Sequence, residues 1–268
     1  MTIPAGAARF SGFASLYAAA RPCLPEYAIR VLLRYAAGTG AGHTAGLVID
    51  LGCGAGLSTI PWRGHSRRVI GVEPNPDMLA EARRHAAPGL TFHQASAEDT
   101  GLPGGEADIV VCAQSFHWMD PEAALREAAR LLRPGGVFAT VDYDWPPVST
   151  AAVEEAFRRF EQETEAATLE AGGLPAQPRR EKTGHLDQIR KCGYFSLTRE
   201  VVFLQEGVGC ADRLLALAVS RSGWQEASRR YPEAMAGVLS RFRSRLERLD
   251  EEFPMDFGYR LRFGVRKI

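Results

Sequence analysis

Asp50, Gly52, Gly54 and Gly56 fall within one heptapeptide, Asp50-Leu51-Gly52-Cys53-Gly54-Ala55-Gly56, at the end of the apolar run GLVIDL. Glycine tolerates φ > 0 and carries no Cβ, so such a loop lets a ligand lie against the backbone. Glu73 closes the next apolar run, RVIGVE, 23 residues after Asp50. A carboxylate about 20 positions beyond a glycine loop can accept hydrogen bonds from both hydroxyls of a ribose. Separately, each feature has a plain alternative, a tight turn and an exposed strand end. Together, at this spacing, they point to a nucleoside-bearing cofactor.

The loop also discriminates among such cofactors. Dinucleotides are bound by GxGxxG, with a helix N-terminus free to hold the pyrophosphate. Here position 57 is Leu and the pattern is GxGxG. Asp50, two residues before the first glycine, suits a ligand with a sulfonium cation and no phosphate, as in S-adenosylmethionine.

The elements that must hold these residues alternate. GLVIDL (46–51), RVIGVE (68–73), LTFHQ (90–94), ADIVVCA (107–113) and GVFATVD (136–142) read as strands. Their near-continuous Val, Ile and Leu suit strands buried on both faces of a parallel sheet. Residues 75–86 and 121–132 carry apolar side chains at helical spacing, the second after Asp120 as N-cap and with Pro121 in its first turn. Pro134-Gly135-Gly136 reads as the stop of that helix. Residues 24–37 form a further helix, ended by the glycines at 38–42. This rhythm specifies an α/β, doubly wound sheet. The second half differs: long helical patterns at 149–171, 211–221 and 233–252, and alternating strands at 197–205 and 259–268. Pro61-Trp62 falls where a helix should follow the glycine loop, and a proline there kinks or ends it.

VIDLGCGAG, GVEPNPDML, ASAEDTGLP, ADIVVCAQSFHWMD and LLRPGGVFA, in this order across residues 46–142, resemble the motifs of class I S-adenosylmethionine-dependent methyltransferases. The His-Trp pair after the fourth strand resembles small-molecule enzymes similar to trans-aconitate methyltransferase. The resemblance implies one domain over 1–268 with a seven-stranded sheet, mostly parallel with the last strand antiparallel. It divides into an N-terminal helical cap (1–45), a cofactor-binding core (46–148) and helical lid insertions at 149–196 and 206–258 that set specificity. It further implies that Asp50, Gly52, Gly54 and Gly56 cradle the methionyl part and that Glu73 holds the ribose. Pro74, Asn75 and Met78 would wall the adenine, with Ser96, Ala97 and Glu98 at its amine. Ala113, Gln114 and Ser115 would lie beside the sulfonium, with Trp118 on the cofactor side of the pocket. Tyr17 and Arg21 would fold over the cofactor carboxylate, Arg21 pairing with it bidentately.

Methyl transfer from a sulfonium needs placement more than covalent machinery. A base is required only where the acceptor holds its proton near neutral pH. His117, just past the fourth strand, is the candidate base; its alternative is a structural ring against Trp118. Tyr143 is a second catalytic candidate, and Asp144, Trp145 and Trp224 are candidate substrate contacts. Tyr231 is a further aromatic candidate, and His185 and Cys192 read as incidental.

Lys plus Arg and Asp plus Glu each number 32, so the formal charge is zero. That argues against nucleic acid as the main partner, although Arg179, Arg180, Lys182 and the arginines of 241–248 would form a basic rim. Hydrophobic residues at 46% exclude a disordered chain. Five cysteines without a CxxC spacing exclude a zinc or disulfide framework and fit a cytoplasmic protein. No metal, membrane span or signal peptide is expected, and the sequence leaves oligomeric state open. A small-molecule methyltransferase is thus the expected function. The alternatives are an RNA- or protein-directed methyltransferase and a non-methylating S-adenosylmethionine-binding protein.

Overall fold

The computed structural model describes residues 5–37, 44–173 and 181–268. The glycines expected to end the first long helix, and Arg179 and Arg180, lie outside the described residues. Three helices, α1 (Ala5–Ala8), α2 (Ala14–Ala20) and α3 (Glu26–Ala37), precede β1 (Ala45–Leu51). The core continues with β2 (Ser66–Val72), α4 (Pro76–Arg83), β3 (Leu90–His93), β4 (Ala107–Ala113), α5 (Pro121–Leu131) and β5 (Leu132–Tyr143). Then follow α6 (Ala151–Glu170), α7 (His185–Lys191), β6 (Phe195–Gln205), β7 (Val208–Gly209), α8 (Ala211–Val219), α9 (Ser222–Arg230), α10 (Pro232–Leu246), β8 (Phe253–Pro254) and β9 (Phe257–Arg266).

Seven strands form one sheet in the order β3-β2-β1-β4-β5-β9-β6, while β7 and β8 form a separate two-stranded pair. The first five strands are mutually parallel, and β9 runs antiparallel to both β5 and β6. Side chains alternate between the two faces of each central strand. Val48, Ile109 and Val111 join the core under α3, whereas Ile49, Leu51, Val110 and Cys112 join the core under α5. The α3-side core continues without a break into the insertions through Phe157, Phe160, Trp224 and Phe242.

Local chemistry sets the helix starts beside the site. Asn75 caps α4, its Oδ1 accepting from the Asp77 and Met78 N–H groups at 2.9 and 3.2 Å. Asp120 caps α5 through the Ala123 N–H at 2.9 Å. The expectation for α5 is corrected at its end: it stops at Leu131, before Pro134-Gly135-Gly136, and β5 begins at once. After the glycine loop there is no α-helix. Turns lead into a 3-10 segment, Ile60–Trp62, with Pro61 in its first turn. Helices α7 and α9 are short and were not legible in the sequence.

The expected boundaries are also refined. Helix α3 packs on β1, β4, β5 and β9, so within the N-terminal cap only α1 and α2 stand apart from the sheet layer. Helix α7 packs on β6, β9 and α5, so it covers the sheet rather than the pocket. Among the described residues no helix is long and apolar enough to cross a membrane.

Candidate active site

The carboxyl ends of the central strands open on a cavity of about 1040 Å³, its mouth included. Ligands bind at this edge of doubly wound sheets because the strand order reverses there and the loops diverge. Gly52 and Gly54 from the β1 loop, Glu73 and Pro74 past β2, and Met78 in α4 line one part. Ala97 and Glu98 line it after β3, and Ala113, Gln114 and Ser115 after β4. Phe10, Tyr17 and Arg21 line it from the N-terminal segment, with Trp118, Tyr143 and Tyr259.

The glycine loop is held tightly. The N–H groups of Gly52 and Cys53 both donate to the Val72 carbonyl, at 2.8 and 3.0 Å. Gly52 has φ +69°, and a Cβ there would stand 2.7 Å from Ser115 Cβ, so no other residue fits. Gly54, at φ +54°, has nothing within 4 Å of the same position, which leaves its backbone open to a ligand.

Glu73 is buried yet lines the cavity. Its Oε2 accepts from the Gly54 N–H at 2.9 Å and its Oε1 from the Asn75 N–H at 2.8 Å. Burial pushes its carboxyl up to about 7, against the pull of these two donors. Asp50 departs from its expected role. It is fully buried and absent from the cavity lining; its Oδ2 accepts from Ser58 Oγ and Thr59 Oγ1, each at 2.6 Å. It therefore shapes the turn behind the glycines. Burial raises its carboxyl to about 6, and its Oδ1 is buried without a hydrogen-bond partner.

Three further expected contacts also lie behind the lining. Gly56 is buried near Ile60, Ala82 and Phe92. Asn75 is fully buried, and its Nδ2 donates to the Ala7 carbonyl and Ser11 Oγ at 2.8 and 3.0 Å, tying α4 to the N-terminal segment. Ser96 does not reach the cavity, whereas its neighbours do. Glu98 Oε1 accepts from the Asp120 N–H at 3.1 Å.

The cavity's cover is aromatic and cationic. Phe10 meets Trp118 edge-on at 5.7 Å and Tyr17 at 5.8 Å. Arg21 Nη1 donates to Tyr143 Oη at 3.0 Å, and its guanidinium lies 5.3 Å over Tyr17 and 4.7 Å over Trp145. Its Nε is buried with no hydrogen-bond partner, and among the described residues no carboxylate lies within ion-pair distance of it.

The remaining candidates sit elsewhere. His117 is buried outside the cavity lining, with Nδ1 3.9 Å from Asp142 Oδ1 and its ring against Trp118 at 5.0 Å. Asp144 is exposed and pairs with Arg260 at 3.1 Å. Trp145 lies behind Tyr143 and Arg21 rather than on the cavity. Trp224 packs on Phe160 at 4.7 Å in a separate groove, together with Tyr231.

His185 is not incidental. It is almost fully buried, and its Nδ1 meets Asp142 Oδ2 at 3.0 Å. Arg262 Nη1 lies 3.4 Å and Lys182 Nζ 3.6 Å from the same carboxylate. Burial alone would raise Asp142, but the His185 hydrogen bond and the charges of Lys182, His185 and His117 outweigh it and hold the carboxyl below its ordinary range. Lys182 also donates to Gln114 Oε1 at 2.6 Å, linking this cluster to the cavity. Gln114 itself has φ +55°, a left-handed backbone held in place by that contact and by its N–H bond to Val141. Sequence reading placed Asp142 at the end of the fifth strand and Lys182 in a basic rim but not their meeting, which depends on how the insertion after that strand folds back on the sheet.

These residues fit an adenosyl sulfonium. A buried carboxylate awaits hydroxyl donors, a glycine cradle is open, and a guanidinium lacks a carboxylate. The sheet order, glycine loop and strand-end acid define the class I S-adenosylmethionine-dependent methyltransferase fold. Residues 49–140 match a family described as a methyltransferase domain. An uncharacterized methyltransferase of Mycobacterium tuberculosis is 37% identical over 127 residues, covering 47% of this chain and 49% of that protein. The malonyl-acyl-carrier-protein O-methyltransferase of Serratia marcescens is 34% identical over 132 residues, 49% of each. The chain thus spans about half the length of these curated relatives. A solved structure of a proposed type II methyltransferase from Anaeromyxobacter dehalogenans shares the fold, with TM-score 0.67 and 24% identity over 91% of this chain and 97% of that one.

Proposed function

We propose that the chain is an S-adenosylmethionine-dependent methyltransferase whose acceptor is a small molecule. The observation that carries this is the covered cavity in which Glu73, the Gly52–Gly54 backbone and Arg21 converge. The bound cofactor supplies an electrophilic methyl group on a sulfonium. Glu73 accepts from the ribose hydroxyls, Arg21 pairs with the terminal carboxylate, and the Met78, Pro74 and Ala97 surfaces wall the base. Phe10, Tyr17 and Trp118 exclude water, so that an acceptor nucleophile is held without a hydration shell to shed. Tyr143, on the cavity and bonded to Arg21, is the phenol placed to orient an acceptor.

The cover supports a small acceptor over a macromolecular one, since the N-terminal segment lies across the mouth. Part of the expected basic rim is engaged within the chain, since Lys182 contacts Asp142 and Gln114 and both Arg241 and Arg245 pair with Glu163, while Arg243 and Arg248 stay exposed. The five free cysteines support the reading of a reducing, cytoplasmic setting. The test is incubation with methyl-labelled donor and a metabolite extract. Labelled small products support the reading; labelled RNA or protein, or donor binding without turnover, overturns it in favour of the corresponding alternative.

A further inference from the structure

One side chain from the insertion after β5 reaches the wall of the cavity. Lys182 Nζ donates to Gln114 Oε1 at 2.6 Å, and the same ammonium lies 3.6 Å from Asp142 Oδ1 and 5.8 Å over the Tyr143 ring. Gln114 and Tyr143 both line the cavity, and the lysine stands behind them.

Gln114 is held in a conformation that a side-chain-bearing residue rarely adopts. Among the described residues it is the one non-glycine with a left-handed backbone, at φ +55°, and it follows β4 directly. Such a backbone persists where its surroundings over-determine it. Here they are the Val141 carbonyl, which accepts from the Gln114 N–H at 3.0 Å, and Lys182 at the far end of the side chain.

The lysine also decides which way the amide faces. An amide has an accepting oxygen and a donating nitrogen, and an ammonium can only donate, so Oε1 must face Lys182. The nitrogen is then turned from the ammonium, and Nε2 is buried with no hydrogen-bond partner. A buried donor in that state is costly, and a ligand's lone pair would relieve it. Tyr143 is arranged in the same sense: its Oη accepts from Arg21, which leaves its own proton to give. These two side chains, past β4 and at the end of β5, therefore offer hydrogens to the cavity.

We propose that Lys182 is a positioning residue for acceptor selection. It commits the Gln114 amide to donating, so that the group lying beside the transferred methyl is one with oxygen lone pairs, a carbonyl, hydroxyl or oxyanion, and not an ammonium. The proposal rests on the methyl-transfer reading above, with Gln114 beside the sulfonium as its place past β4 implies. Lys182 acts through Gln114, and Asp142, itself held by His185 at 3.0 Å and Arg262 at 3.4 Å, keeps the ammonium in place.

The test compares two probes on the full chain by calorimetry. S-adenosylhomocysteine has a bare thioether at the reacting position, and sinefungin carries an ammonium in place of the methyl group. The readout is the ratio of their affinities, which partial misfolding leaves unchanged because the same folded molecules bind both. Lys182→Met frees the amide to turn its oxygen to that ammonium, so the preference for sinefungin should rise about fivefold or more over the wild-type ratio. The same substitution uncovers the charge of Asp142, which would favour any cation without help from the amide. Adding Gln114→Leu separates the two effects: the gain should vanish in Lys182→Met/Gln114→Leu when it is compared with Gln114→Leu alone. An unchanged ratio in Lys182→Met overturns the proposal, as does a gain that survives in the double variant. Failure of the wild-type protein to bind S-adenosylhomocysteine overturns the methyl-transfer reading itself, and this inference with it.

Discussion

Glu73 Oε2 accepts the Gly54 N–H at 2.9 Å, so the carboxylate past β2 is locked to the glycine loop past β1. Its second oxygen is held by Asn75 at 2.8 Å. Each oxygen keeps a lone pair, and two neighbouring hydroxyl donors are the complement of that arrangement.

Glu73 should therefore govern both affinity and pH dependence. Glu73→Gln is expected to weaken S-adenosylhomocysteine roughly tenfold to a hundredfold, since hydrogen bonds to a charged acceptor are lost. The folded-state value, about 7, lies above the ordinary 4.5, so the fold favours the neutral carboxyl. The stabilisation this gives is full below about pH 4.5 and lost as the pH rises through 7. Asp50 acts in the same sense, from 3.8 up to about 6. The ligand-free protein should accordingly lose Tm between pH 5 and 8, while ligand affinity rises as Glu73 ionises. Melting curves and calorimetry across that range check both slopes, and Glu73→Gln should flatten each.

A different carboxylate anchors the fold. Asp142 is buried among His185, His117, Lys182 and Arg262. Asp142→Asn removes the charged acceptor that His185, Lys182 and Arg262 share, although Arg262 keeps Glu200 at 2.6 Å, and should cost about 1–3 kcal/mol in denaturant unfolding. His117 belongs to this cluster and not to the cavity lining. Removing a true general base costs about 10²–10⁴-fold in rate. His117→Gln should fall well short of that in kcat while lowering Tm; a loss within that range, with stability intact, would restore the base assignment.

The central strands of the first half were readable because burial on both faces leaves a nearly uninterrupted apolar run, as in ADIVVCA. The glycine loop and Glu73 were readable because backbone approach and ribose recognition restrict residue type at fixed spacing. Asp50, Gly56 and Asn75 lie in the same motifs but behind the ligand surface, where motif position does not distinguish lining from support. The contacts of Lys182 and His185 depend on how the insertions fold back on the sheet. Nothing local in their sequence reports that placement, and α7, with seven residues, carries too few turns for a periodic signal.

Arg21 and Tyr143 permit a sharper separation of binding from chemistry. The guanidinium touches Tyr17, Tyr143 and Trp145, and its Nε is buried with no hydrogen-bond partner. If the cofactor carboxylate fills that deficit, Arg21→Gln should lower S-adenosylhomocysteine affinity roughly tenfold to a hundredfold, and Arg21→Lys should recover only part, because an ammonium cannot pair bidentately. Tyr143→Phe removes a single hydroxyl that accepts from Arg21, so cofactor affinity should fall by no more than about tenfold. An acceptor oriented by that hydroxyl would instead show its loss in kcat/KM with cofactor affinity little changed. Equal losses of cofactor affinity in Arg21→Gln and Tyr143→Phe would mean that the two side chains act only as one structural unit, and Tyr143 would then have no separate part in placing the acceptor.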